Sequence, residues 1–184
     1  MVADALVQNN LILNSSLTGI TAAPQTANRR VRNVTIVSNT VVGHPKCLDL
    51  RWEGAENMVL ANNAFYCAGG VSVDALGLNG SGVTVRANVV EGTLVGVHLD
   101  GQKFRGGGRA GNTFKSSDSF DLWPRANSAL LGAGDVKFAP RDDFNGRPRA
   151  AAKVDIGAYE AKGQSDNPGW KIAPGFKPLN GQNK

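Results

Sequence analysis

Residues 34–43 read VTIVSNTVVG, and three other stretches rewrite the same phrase: ALVQNNLILN at 5–14, MVLANNAFYC at 58–67 and VTVRANVVEG at 83–92. Each sets apolar residues on either side of one free position. Small or polar residues follow, then an asparagine, one more free position and an apolar residue. Anchored on that asparagine, the phrase recurs at Asn10, Asn39, Asn63, Asn88 and Asn112, at intervals of 29, 24, 25 and 24 residues. Two positions further on stands Ile12, Val41, Phe65, Val90 or Phe114. A second apolar segment begins 8 to 10 residues after each asparagine, at Ile20, Leu48, Val71, Val97 and Phe120. It alternates with period two, as in Leu48-Asp49-Leu50 and Val97-His98-Leu99, which is the signature of a strand with one buried face.

Short alternating segments separated by Gly, Asn and Ser turns are strands, and a fixed repeat of about 24 residues stacks them. The architecture that follows is all-β, a parallel β-helix of about five coils spaced by the ~4.8 Å of neighbouring strands. Inward columns form its core. The asparagine column becomes a ladder whose amides satisfy backbone groups at one corner. Residues 1–123 carry the coils, 124–160 a closing segment, and 161–184, rich in Gly, Pro, Lys and Asn, an extended or disordered tail. Nothing before residue 5 forms a lid, so the first coil is expected to associate with another copy, giving a homo-oligomer.

The repeat resembles that of right-handed parallel β-helix proteins, the pectate-lyase-like superfamily of extracellular polysaccharide-active and surface proteins. Residues 127–135 (NSALLGAGD), 141–149 (RDDFNGRPR) and 154–160 (VDIGAYE) resemble the C-terminal closing segment of many bacterial members, which implies a C-terminal cap. Within that segment Arg147 is placed in sequence to pair with Asp143, Asp155 or Glu160. The resemblance implies a secreted or cell-surface protein and a polysaccharide or oligosaccharide partner. It does not extend to the family's catalytic sets. The arginine base with a calcium-binding acidic cluster of pectate lyases is missing, and so is the Asp-Asp pair with Gly-His-Gly of polygalacturonases; His98 sits in VGVHLD instead.

Composition narrows the partners further. Glycine supplies 23 of 184 residues, about one in eight against a usual ~7%, as turn-rich chains require. The formal charge of +5 is concentrated at the end. Residues 1–136 hold 11 basic and 10 acidic side chains and residues 137–184 hold 9 and 5, so no basic stripe for nucleic acid emerges. No run of about 18 apolar residues spans a membrane, and the N-terminus is no signal peptide. Two cysteines, Cys47 and Cys67, are too few for a disulfide scaffold. They read as buried thiols, with a bridge between them left open. Neither a nucleophile elbow nor a phosphate loop is present, and the Asp-rich turn 142–146 lacks the spacing of a calcium loop. No metal or cofactor is expected.

Counting alternate positions along the second strand gives two outward columns: Thr21, Asp49, Ser72, His98, Asp121 and Ala23, Arg51, Asp74, Asp100, Trp123, with Trp52 adjoining. Carboxylates beside tryptophans suit sugars, because aromatic faces stack on pyranose rings and acids accept hydroxyl hydrogen bonds. The candidate binding residues are therefore Asp49, Arg51, Trp52, Asp74, His98, Asp100, Asp121 and Trp123. On this register Asp74 and Asp100 lie ~5 Å apart, the separation of a retaining glycosidase pair. The leading expectation is carbohydrate recognition without a catalytic set. The alternatives are an assembly module acting through the first coil, and a polysaccharide lyase or glycosidase.

Overall fold

The computed structural model describes residues 3–24 and 31–161, so the expected tail lies outside the described residues apart from Ala161. The chain is all-β in the main, a parallel β-solenoid of about three turns. Its first sheet stacks β1 (Ala3–Gln8), β4 (Arg32–Val37), β7 (Met58–Ala61) and β9 (Val83–Arg86) in parallel. The second sheet stacks β2 (Leu11–Leu13), β5 (Thr40–Val42), β8 (Ala64–Leu76), β10 (Asn88–Val95) and β11 (Phe104–Gly106). Strands β8 and β10 continue around the corner into a third face, where they follow β3 (Thr18–Ala22) and β6 (Lys46–Arg51).

The asparagine ladder stands at the corner between the first two sheets. Asn10 Nδ2 donates to Asn39 Oδ1 at 2.9 Å, Asn39 to Asn63 at 3.0 Å and Asn63 to Asn88 at 2.9 Å. Each acceptor oxygen also takes the backbone N–H of the residue below, so Asn10, Asn39 and Asn63 are each held twice. The residue before each ladder asparagine, Asn9, Ser38, Asn62 or Ala87, has φ between 51° and 58°. This left-handed step turns the chain, and the next side chain ties down the groups the turn leaves open. A shorter ladder that the sequence reading missed runs from Asn57 through Asn33 to Asp4, also at left-handed positions.

Inward columns fill the solenoid: Val7, Ile36, Leu60, Val85; Ile12, Val41, Phe65, Val90; and Ile20, Leu48, Val73, Leu94. The second column is the one expected. The third departs from expectation, because the corner joining the second and third faces differs in length from coil to coil. Leu48 pairs with Val73 instead of Val71, and Val73 with Leu94 instead of Leu99. Gly92, with φ of 126°, packs against the Cys67 carbonyl where any Cβ would collide, and so permits the shortest of these corners.

Among the described residues the solenoid makes about three turns, not the five expected. Asn112 is exposed in a helical turn (Ala110–Thr113), and the ladder ends where Asn88 donates to the Lys103 carbonyl. Phe114 and Leu122 belong to β12 (Phe114–Ser116) and β13 (Asp121–Pro124), an antiparallel pair outside the solenoid. The segment expected to close the end of the helix packs instead along its flank. Arg149 donates to Asn9, Ala158 to Thr40, and Gly157 and Asp135 to Asn62, while Arg105 donates to the Ala133 carbonyl. Beneath it the outer side of the second sheet (Val42, Ala64, Tyr66, Val89) meets Phe114, Leu122, Trp123, Leu130, Ile156 and Tyr159 in a second hydrophobic core.

The cation inside this segment is Arg149, not Arg147. Arg149 pairs with Glu160 at 3.4 Å and donates to the Asp155, Gly157 and Ala158 carbonyls. Arg147 lies over the Trp123 ring, 5.9 Å from its centroid. Asp143 and Asp155 are saturated by backbone N–H groups, so the Asp-rich turn is a structural knot. Cys47 and Cys67 form a disulfide, which corrects the reading as free thiols. The changing corner length sets their Cα atoms 5.9 Å apart, within bridging range, although the repeat counted them as non-equivalent. His44 is buried: Nδ1 accepts from the Ser15 N–H at 2.9 Å and Nε2 lies 3.2 Å from the Ile12 carbonyl.

Candidate functional site, a charged ring on the third face

The outer side of the third face presents Thr21, Asp49, Asp74 and Val95 in one register row, with Thr18, Lys46, Val71 and Thr93 in another. Asp49 and Asp74 are direct neighbours on adjacent strands, not on offset columns as expected. Two like charges at strand spacing repel unless cations separate them. Lys46 and Arg51 do so. Lys46 Nζ lies 3.0 Å from Asp49 and 2.6 Å from Asp74, and the Arg51 guanidinium lies 2.9 Å from Asp49 and 3.1 Å from Asp74. Two acids and two bases form a closed, neutral ring whose side chains are 17–31% exposed.

The ring fixes protonation. Hydrogen bonds from Lys46 first, then Arg51, hold the Asp74 carboxyl below the usual aspartate range. Lys46 is raised in turn, chiefly by its bond to Asp74, and so is Arg51. Asp74 is thus an ionised acceptor, unable to serve as a proton donor near neutral pH. Lys46 escaped the sequence reading because it opens its strand immediately after a turn. Its spacing of three from Asp49 hid a side chain that shares the face.

The other expected residues are elsewhere. Asp100 does not neighbour Asp74, whose partner is Val95. Strand β10 ends there, and residues 97–103 loop out, leaving His98 and Asp100 exposed. Asp100 organises that loop, accepting the N–H groups of Gln102, Lys103 and Phe104. Burial raises its carboxyl, but these bonds together outweigh it, so the group sits low. Asp121 accepts from the Trp123 N–H inside the antiparallel pair.

Both candidate tryptophans are fully buried. Trp52 turns into the solenoid, where its indole N–H donates to the Ala22 carbonyl at 3.1 Å, and Trp123 packs on Tyr159 in the second core. Their bulk is worth more inside than on a wet face. Of the eight expected residues, therefore, Asp49, Arg51 and Asp74 come together, joined by Lys46.

No family model, no curated protein and no solved structure matches this chain.

Proposed function

We propose that this chain is a non-catalytic recognition module that engages a polysaccharide through the outer side of its third face. We place it among solenoids related to the pectate-lyase-like superfamily. The observation that carries the reading is the Lys46–Asp49–Arg51–Asp74 ring. It sets donors and acceptors in alternation on a flat parallel sheet, and vicinal sugar hydroxyls both donate and accept. Backbone ladders on both sides hold the ring, so little ordering is needed on binding. Turnover is disfavoured because a glycosidase pair needs one protonated carboxyl, whereas Asp74 is held ionised. The buried Cys47–Cys67 disulfide supports an oxidising, extracellular location.

The test is binding and product release against plant, algal and bacterial polysaccharides, with the Arg51→Gln/Asp74→Asn variant beside the wild type. Saturable binding without new chain ends, lost in the variant, is the expected result. New ends or unsaturated products would make the protein an enzyme, and silence on every glycan would sink the reading.

A second reading, assembly through the first coil, is favoured by one observation. Leu6 is 61% and Leu17 76% exposed there, and the inward Ala5, Val7 and Ile12 are only partly covered. Sedimentation showing a monomer at tens of micromolar would remove it.

A further inference from the structure

A groove of about 370 Å³ runs between the corner turns of successive coils, at Asn14 and Gly43, and the turn formed by Ser117–Phe120. We infer that this groove is a binding subsite for a neutral pyranose, separate from the charged ring of the third face. Its volume lies at the lower end of the ~300–1,000 Å³ of small-ligand sites.

Phe120 carries the inference. It ends a 3-10 turn with φ 60° and ψ 17°, its N–H donating to the Ser117 carbonyl. Glycine is the residue such a left-handed position favours, and a bulky side chain there is strained. Strain of this kind is ordinarily offset by packing. Yet Phe120 is half-buried and belongs to neither hydrophobic core. Phe120 lines the groove instead, an aromatic residue kept in a costly conformation at a concave site.

The remaining lining matches that ring. Asp118 is exposed beside it and Ser117 Oγ lies 3.5 Å from the carboxylate. The Asn14 amide approaches from the opposite wall, so close to Gly43 that a Cβ there would strike it. One aromatic face, a carboxylate, a hydroxyl and an amide are the groups that hold a sugar ring and its hydroxyls. Tyr66 forms the floor, but its hydroxyl is turned to Gly107 and Thr113. Among the described lining residues Asp118 is the one charged group. A uronic acid would be repelled and a neutral sugar would not.

The test is saturation-transfer NMR and calorimetry with the methyl glycosides of glucose, galactose and mannose, and with glucuronic acid. At least one neutral glycoside should bind saturably and glucuronic acid should not. Phe120→Gly relieves the backbone and removes the ring. It should bind about tenfold more weakly, with its melting temperature unchanged or higher. Phe120→Asn, which also tolerates a left-handed φ, gives the same reading should the glycine variant lose its fold. Binding by none of the neutral glycosides, or unchanged affinity in both variants, would overturn the inference. Arg51→Gln/Asp74→Asn should leave monosaccharide binding intact. Failure of polysaccharide binding and failure of this groove are thereby separate results.

Discussion

Five hydrogen bonds meet at the Asn63 side chain. Its amide donates to the carbonyls of Ile36 and Ala61 and to Asn88, and its oxygen accepts the backbone and side-chain N–H of Asn39. All of this is sealed from water. Truncation to alanine strands a buried backbone donor as well as two carbonyls, so Asn63→Ala should cost about 1–3 kcal/mol in urea unfolding. Asn112 came from the same sequence column but is exposed off the ladder, and Asn112→Ala should stay within about 0.5 kcal/mol. Equal effects would mean the ladder does not carry stability. The contrast also shows what a residue column can and cannot tell. Spacing identified the ladder members Asn10, Asn39, Asn63 and Asn88. Spacing alone did not separate Asn112 from them, although Arg105-Gly106-Gly107-Gly108 stands before it where the other ladder asparagines follow an alternating strand.

At the level of elements, the corner between the second and third faces decides the site. Strand identity follows from alternation, but lateral register depends on how many residues each corner consumes, and corners absorb insertions without disturbing the sheets on either side. Hence Asp49 meets Asp74 and not Ser72, and Asp100 leaves the face altogether. The same corner brings Cys47 of β6 to Cys67 of β8 across a sequence separation of 20 residues. Closing a loop of that size restricts the unfolded chain, so Cys47→Ala/Cys67→Ala should lose about 3 kcal/mol by denaturant titration. With both sulfurs fully buried, the wild type should show no labelled thiol until it is both unfolded and reduced. Labelling of the native protein without reductant would contradict the bridge.

For the whole molecule, two cores share one sheet. The second sheet packs its inner side into the solenoid and its outer side under residues 110–161, and charges accompany both layers. Asp74, its folded value lowered by Lys46 and Arg51, adds stability that is complete above the ordinary carboxylate range of ~3.9. That stability is lost as pH falls through the lowered folded value. Glu160 runs the other way. Burial raises it above its ordinary 4.5, so the folded state takes up a proton first, and its contribution is lost as pH rises through the raised folded value. Melting temperatures between pH ~3 and ~7 should therefore pass through a mildly acidic maximum. Glu160→Gln should flatten its neutral side and Asp74→Asn its acid side. A curve unchanged in both variants would remove these two carboxyls from the pH response.

Periodicity alone determined that the chain is a stack of short parallel strands, that Ile12, Val41, Phe65 and Val90 form an inward column, and that Asn10, Asn39, Asn63 and Asn88 form a ladder. These depend on patterns of two and about 24 residues that every coil restates. Only tertiary structure decided the rest: the disulfide, the burial of Trp52 and Trp123, the flank position of residues 128–161, the Lys46–Arg51 ring and the Phe120 groove. Each of these depends on turn lengths or on contacts between residues distant in sequence. No local pattern encodes such contacts, because many different side chains satisfy the same turn, and burial of a large apolar ring outweighs its chance placement on an outward position.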